Sequence, residues 1–464
     1  MIYYQNDAPP LLRRTALRLS VPFALGVSAL LFLTGCQTYQ PEALCRPAHR
    51  EEWEAREPSS ESVRKYAKRL GETTSYDRAF DTSDGLSLGE GETVALVFNP
   101  DLRVARLRAG VAEATAEYAG LWDDPELSID VLNITSSVPS PWVAVSALAF
   151  TIPVSGRLRV EKARAEAAMY AELERVAESE WKVLRDVADG WLSWSAQGHR
   201  LQETDAILKE LKSVVRSTSR LAEEGELTKT EATLFTIEQA SRRAERDRLR
   251  GEVAESEQQL RSIMGLSPKA SLHMVPTMSA GAIPSGMEEP NDGNPTLVRL
   301  RHEYDVAEQT LLREIKKQFP DIVFGPQGET DQGQSRIGFI GAIPIPILNS
   351  NKGGIAEARV EREIARAVYE TEYEKMVGRL AALHARLDAI GDRRATINNT
   401  LVPLVDRQVA DAERLLALGE DGSLVLLESL LRSYEAKLQF VDIQLEEARV
   451  KNEIRYLVGP GNHK

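Results

Sequence analysis

Few residues in this chain can do chemistry. Its 464 residues include two cysteines, Cys36 and Cys45, and six histidines. Two thiols cannot build a four-cysteine metal or iron–sulfur centre, nor a disulfide scaffold. His199, His273, His302 and His384 are scattered, and His302 and His384 read as solvated side chains rather than ligands. There is no Ser/His/Asp arrangement, no H-E-x-x-H and no Walker-type phosphate loop, and Gly325, Gly328 and Gly333 match no phosphate cradle. The expectation is a protein that is not an enzyme and uses no cofactor or metal.

Cys36 is the thiol with a chemical context. Arg13, Arg14 and Arg18 form a basic stretch. Leu19 to Leu33 is nearly continuous apolar sequence, broken by Pro22 and Gly26, and it closes in Leu33-Thr34-Gly35-Cys36. The run is short for a membrane span and has the length of a secretory signal core. Small residues immediately before a cysteine resemble the bacterial lipobox, in which cleavage precedes the cysteine and its thiol carries diacylglycerol. More than one acyl chain anchors a protein stably to a leaflet. The alternatives are a plain secretory signal and a retained membrane anchor. Cleavage before Cys36 would remove a net +2 from the chain's −13 and leave −15. Gln37, where inner-membrane retention is associated with Asp, points outward. Cys45 would be left without a partner.

A chain of net charge −13 is a poor electrostatic match for nucleic acid, and 42% hydrophobic content excludes a helical membrane transporter. Residues 37 to about 90 read as an extended leader interrupted by Pro41, Pro47 and Pro58, with a short helix from Ser60 to Leu70. From Thr93 onward the sequence repeats. Asn99-Pro100-Asp101-Leu102 returns as Asn294-Pro295-Thr296-Leu297, and Pro125 as Pro320. Ile152-Pro153-Val154 returns as Ile345-Pro346-Ile347. Gly225-Glu226-Leu227 with Glu231 returns as Gly422-Ser423-Leu424 with Glu428, and Met264-Gly265 as Val458-Gly459. A Gly/Ser/Pro-rich segment, Pro268 to Pro290, joins the copies.

Each copy reads as helix, strand, loop, strand, very long helix, turn, helix. Pro100 suits the first turn of a helix that runs toward Gly120. Strands are expected over Glu126 to Ile134, Trp142 to Ile152, Asp321 to Glu329 and Gln334 to Ile345. They are separated by loops at Ser136 to Pro141 and Thr330 to Gly333. These are the lengths a tilted strand needs to cross a bilayer, but the alternation is imperfect and leaves the lipid-facing side unassigned. A proline-free stretch, Ser155 to Ser267, predicts one helix over Arg157 to Ala222, about 100 Å long, and a return helix over Thr228 to Met264. Val160, Ala163, Ala167, Tyr170, Glu174, Ala177, Trp181, Leu184, Ala188 and Trp191 follow a coiled-coil period that only Glu174 breaks. Val176, Val183, Val187 and Trp194 make a second seam, so the helix needs neighbours on both sides. The second copy predicts helices over Ala356 to Leu418 and Leu424 to Leu457, with a bend near Pro403.

Lipobox, duplicated strand pair and duplicated long hairpin together resemble the outer-membrane efflux protein family, the TolC-like exit ducts, over roughly Thr93 to Gly459. The fold class implied is mainly α with membrane β: a trimeric transmembrane β-barrel, four strands per protomer, continuous with a long α-helical barrel and built from an internal duplication. The organisation expected is a signal peptide over 1–35, a leader over 36–92, a first repeat over 93–267, a linker over 268–291, a second repeat over 292–459 and a tail over 460–464. The resemblance implies a homotrimer in the outer membrane, anchored in its lipid through Cys36. It would work with a periplasmic adaptor and an inner-membrane transporter as a passive duct of an efflux or type I secretion system. Tip turns at Gly225, Leu227, Gly422 and Leu424 would dock the adaptor. The position where some members carry a gate aspartate falls on Glu428, and the second acidic position on Leu431, so the pore constriction is expected at those two residues. Two seams per helix would serve partners within and between protomers. The other reading is a periplasmic coiled-coil structural lipoprotein without a pore, which would have no use for duplicated strands of bilayer length.

Overall fold

The computed structural model describes residues 39–73, 80–136, 138–139, 141–279, 288–331, 333–417 and 422–460. The lipobox and Cys36 lie outside them. Residues up to Ala55 form a unit of their own. Its one described helix is α1 (Arg46–Glu54), which Cys45, free and exposed, precedes and which an Arg50–Glu54 ion pair of 2.9 Å spans.

The second unit begins with a leader that is not extended. It folds as α2 (Glu61–Thr73) and α3 (Leu88–Phe98). Ser87 and Glu90 form a reciprocal capping box that starts α3 five residues before the repeat's expected onset at Thr93. Val63, Tyr66, Leu86, Val94 and Ala95 are buried in one core with Val183, Val187 and Trp191 of the long helix. Part of the expected linker is also fixed, since Leu86 donates its N–H to the His273 carbonyl at 2.7 Å and Val275 donates to Leu86 at 2.9 Å.

The repeat then reads α4 (Pro100–Tyr118), β1 (Glu126–Asn133), β2 (Trp142–Ile152), α5 (Arg157–Glu224) and α6 (Lys229–Ile263). The second copy reads α7 (Pro295–Lys316), β3 (Ile322–Asp331), β4 (Gln334–Ala342), α8 (Lys352–Thr396), a π turn (Ile397–Leu401), α9 (Val402–Ala417) and α10 (Ser423–Val458). Five expected boundaries move. The first strand stops at Asn133. The third runs from Ile322 to Asp331, and Gly333, just before the fourth, takes φ +85°. The fourth stops at Ala342 because Pro344 and Pro346 cannot donate to a ladder. The helix expected from Ala356 starts at Lys352, and its expected break is the π turn that ends just before Pro403.

The helices pack as four columns. Column one is α6 continued by α4, column two is α5, column three is α10 continued by α7, and column four is α8 continued by α9. Val183 and Val187 of the second seam and Trp191 of the first are covered within the chain, whereas Tyr170 of the first seam is exposed. Leu260 of α6 packs with Val183 and Val187, whereas Val441, Leu445 and Ala448 of α10 pack with Leu192 and Ala196. The faces left bare are on the outer columns: Val104, Leu107 and Val111 on α4, and Val360, Ile364 and Val368 on α8. The strands form one antiparallel sheet in the order β1-β2-β3-β4, so its free edges are β1 and β4. Gly325 lets β3 approach β2, since a Cβ there would sit 1.8 Å from the Leu148 carbonyl oxygen.

Candidate functional site

Strand register separates the two faces that alternation alone could not. Residues directly paired across strands share a face. Pairs Leu127–Leu148, Ile129–Ser146, Val131–Ala144, Phe150–Phe324, Pro326–Phe339 and Gly328–Ile337 lie on one side. Phe324 and Phe339 stack there with centroids 5.4 Å apart. The opposite side carries Ser128, Asp130, Gln327, Glu329 and Arg336, with Arg336 3.6 Å from Glu329 and 3.7 Å from Asp331. On β2 and β3 the polar-side residues are the less exposed set, Ala147 and Gly325 being buried while Trp142, Phe150 and Phe324 stand out. The sheet therefore curls with its polar side inward and its apolar side outward. β2, 11 residues long, covers about 25 Å when tilted, the height of a membrane barrel's apolar band.

The helical layer has two unlike faces as well. Val187 and Trp191 of α5 are covered by α3, where Gly91 makes room for the Trp191 ring. Asp189 stands roughly 160–200° away round the same helix. On its side a groove of about 620 Å³ runs between α5 and α10, lined by Arg185, Asp189, Arg200, Asp442, Glu446 and Arg449. Burial pushes the Asp189 carboxyl up in pKa, against a hydrogen bond of 2.8 Å donated by Asn452. Beside it, Arg379, Arg386 and Arg393 recur every seven residues on α8 and meet Glu453 and Glu446 on α10, also seven apart. Each pair is exposed and weak alone, but the shared heptad spacing fixes the register of the two helices. Hydrogen bonds from Arg386, reinforced by Arg393, hold Glu446 below the usual carboxylate range.

Far from the sheet, α5 turns back into α6, and α10 begins beside α9. Gly225 takes φ +82° and ends α5, a conformation suited to glycine. Gly422 has φ −118° and precedes α10, and Asp421 lies outside the described residues. Leu227 is half-buried, and Leu424 and Val425 are exposed. Glu231 caps α6: the Thr228 hydroxyl and then its backbone N–H hold that carboxylate below its usual range. Glu428 is exposed and pairs with Arg432 at 2.7 Å, and Leu431 is half-buried. Thr228-x-x-Glu231 is a capping signature legible in sequence. Nothing local marked Asp130, Glu329 and Arg336, because only strand register brings them together. Among the described residues no cluster could hold a metal ion, and no helix is long and apolar enough to cross a membrane.

The described residues thus form a curled sheet with an apolar outer side, continuous with long paired helices. Residues 93–266 match the family model described as outer membrane efflux protein. The fold is similar to that of CusC, with TM-score 0.71 and 15% identity, covering 92% of this chain and 99% of that one. It is also similar to VceC, an outer membrane protein of Vibrio cholerae, at TM-score 0.68 and 16% identity over 80% of this chain and 96% of that one. The CmeC outer membrane channel of Campylobacter jejuni gives 0.66 and 13% over 91% and 94%. No curated protein matches the chain. Residues 93–266 thus match that family's model, and the chain shares the fold of these solved structures over 80–92% of its length.

Proposed function

We propose that the chain is one third of a homotrimeric exit duct in the outer membrane, extending into the periplasm. It would pass small molecules, metal ions or polypeptide outward for an inner-membrane transporter reached through a periplasmic adaptor. The observation that carries this reading is the pair of matching open edges. β1 with α4 and α6 bounds one side of the chain, and β4 with α8 and α9 bounds the other. An open strand edge is not tolerated in lipid. β4 runs toward the helices and β1 away from them, so β4 of one copy and β1 of the next meet antiparallel, and a head-to-tail contact of this kind closes into a ring. Three copies give the twelve strands of the family's barrel.

In that ring the inward polar side of the sheet and the charged groove between α5 and α10 line a water-filled path. The covered side of α5, under α2 and α3, faces outward, where a ring has room for an extra layer. Lipid on Cys36 would anchor the chain to the same membrane, the tips at Gly225, Leu227, Gly422 and Leu424 would meet the adaptor, and Glu428 and Leu431 would narrow the entrance. The test is the detergent-corrected mass of the mature protein with its conductance in planar bilayers. A trimer that conducts is the expected result. A non-conducting monomer or dimer would instead favour a structural lipoprotein. Mass spectrometry of the N-terminal peptide, expected to begin at an acylated Cys36, tests the anchor.

A further inference from the structure

Between β4 and α8 the chain runs Ile343-Pro344-Ile345-Pro346-Ile347-Leu348, fully apolar and exposed, with Ile347 and Leu348 at 80% and 93%. It is held at both ends. Upstream it leaves the β3–β4 ladder. Downstream, Ser350 and Asn351 both take positive φ, the Ser350 hydroxyl donates to the Pro346 carbonyl at 2.6 Å, and Asn351 Nδ2 donates to the Glu314 carbonyl at 2.8 Å and to its carboxylate at 2.9 Å. Burial alone would raise the Glu314 pKa, but hydrogen bonds from Lys317, Asn351 and Arg313 outweigh it and bring it to about 2. The apolar segment is thus a pre-formed strap, and its prolines remove the N–H groups that would continue a strand ladder. It must recognise by side-chain packing.

The other free edge carries a counterpart at the same level. Tyr118, Leu121 and Trp122 are all exposed, Trp122 at 64%, in the four to eight residues before β1 begins. The strap follows the end of β4, and both lie at the helical end of the sheet. We infer that the Ile343–Leu348 strap of one copy packs over Tyr118, Leu121 and Trp122 of the next copy, sealing the junction between the strand ring and the helix ring. This rests on the ring proposed above. The favoured occupant is a second copy because the two patches continue the β4 and β1 edges that such a ring joins, and because each is exposed on the side where its own chain has no further column.

Disulfide trapping in outer-membrane vesicles tests it. In a full-length Cys45→Ser background, Trp122→Cys with Ile345→Cys is expected to give reducible inter-chain crosslinks. Val104→Cys with Ile345→Cys is expected to give none, because Val104 lies about 21 Å further down α4 than Tyr118. A trimeric protein that fails to crosslink at the first pair overturns the strap and leaves the ring standing. So does strong quenching of a bimane on Ile347→Cys by spin-labelled lipid, which would place the strap in the bilayer. A monomer by mass removes ring and strap together.

Discussion

Asn294, the N-cap of α7, donates from Nδ2 to the Leu457 carbonyl at the end of α10, 2.9 Å away across 163 residues. Its Oδ1 meanwhile accepts from the N–H groups of Thr296 and Leu297. Asn99 does the same in the first repeat, reaching the Ile263 carbonyl at 2.8 Å and capping α4 through Asp101 and Leu102. One amide thus satisfies the orphan groups of two helix ends at once. Gly265 and Gly459 complete each joint with φ +71° and +96°. The joints make two half-length helices run alongside one full-length helix, and so they turn a repeat into two columns.

The joints are expected to be sensitive sites. Asn294→Ala removes a cap, worth about 0.5–2 kcal/mol, and leaves a carbonyl without its donor. Gly265→Ala should cost more. Left-handed backbone costs a residue with a side chain about 1–2 kcal/mol, and the added Cβ would stand 2.0 Å from the Phe98 carbonyl oxygen. Thermal unfolding of the purified protein should rank wild type above Asn294→Ala above Gly265→Ala. Gly251→Ala, a helix-interior change with nothing within 4 Å, should match or exceed wild type. Equal stability of all four would mean the joints do not bear on the fold.

These joints also show what a sequence yields. The Asn-Pro and Gly landmarks, the ends of Trp142–Ile152 and the long helix to within two residues were legible, because caps, prolines and heptads are local. That Asn99 touches Ile263 was not, since contact across 164 residues leaves no local mark. The leader's burial was hidden for the same reason: Val63 and Tyr66 gain meaning only when α5 presents Val187 and Trp191 to them. The apolar side of the sheet needed the register, because both alternating sets contain apolar residues.

Acid should loosen the strap's lower anchor. Glu314 titrates near 2 in the folded protein against an ordinary value near 4.5. A carboxylate with a depressed folded pKa contributes stability that is full above its unfolded pKa and is lost as pH falls through the folded one. The contribution is therefore present at pH 7 and declines between about pH 4.5 and pH 2. Glu314→Gln should lower the unfolding temperature at pH 7 and narrow its gap to wild type at pH 3. A gap that stays constant with pH would mean the ion pairs to Lys317 and Arg313 are not the source.

At the tips, Leu424 and Val425 are exposed among the described residues. Replacing Leu227 and Leu424 with Glu should leave the fold intact, since neither is buried, while reducing crosslinking to a periplasmic adaptor and lowering export at least several-fold. Gly225→Ala should add a local penalty of about 1 kcal/mol because its φ is positive. Gly422→Ala should add less, its φ of −118° being open to any residue. Undiminished crosslinking and export in the Leu227 and Leu424 double variant would move the docking surface elsewhere.

The constriction prediction turns on Arg432. Glu428 stands six residues past Gly422, about 9 Å along the helix from the tip, and its carboxylate is paired with Arg432 at 2.7 Å. Three such pairs around a narrow entrance would present alternating charge rather than a purely acidic ring, so cation preference there is the balance of the two. Glu428→Gln should therefore shift planar-bilayer selectivity toward anions by exposing Arg432. Arg432→Gln should shift it toward cations. Leu431→Ser should raise the resting conductance by wetting the apolar level between them. Opposite shifts from the two charge variants, with the Leu431 effect on conductance alone, place the entrance at this turn of α10. If all three variants conduct and select like the parent, these side chains face a neighbouring helix and the narrow point lies elsewhere along the duct.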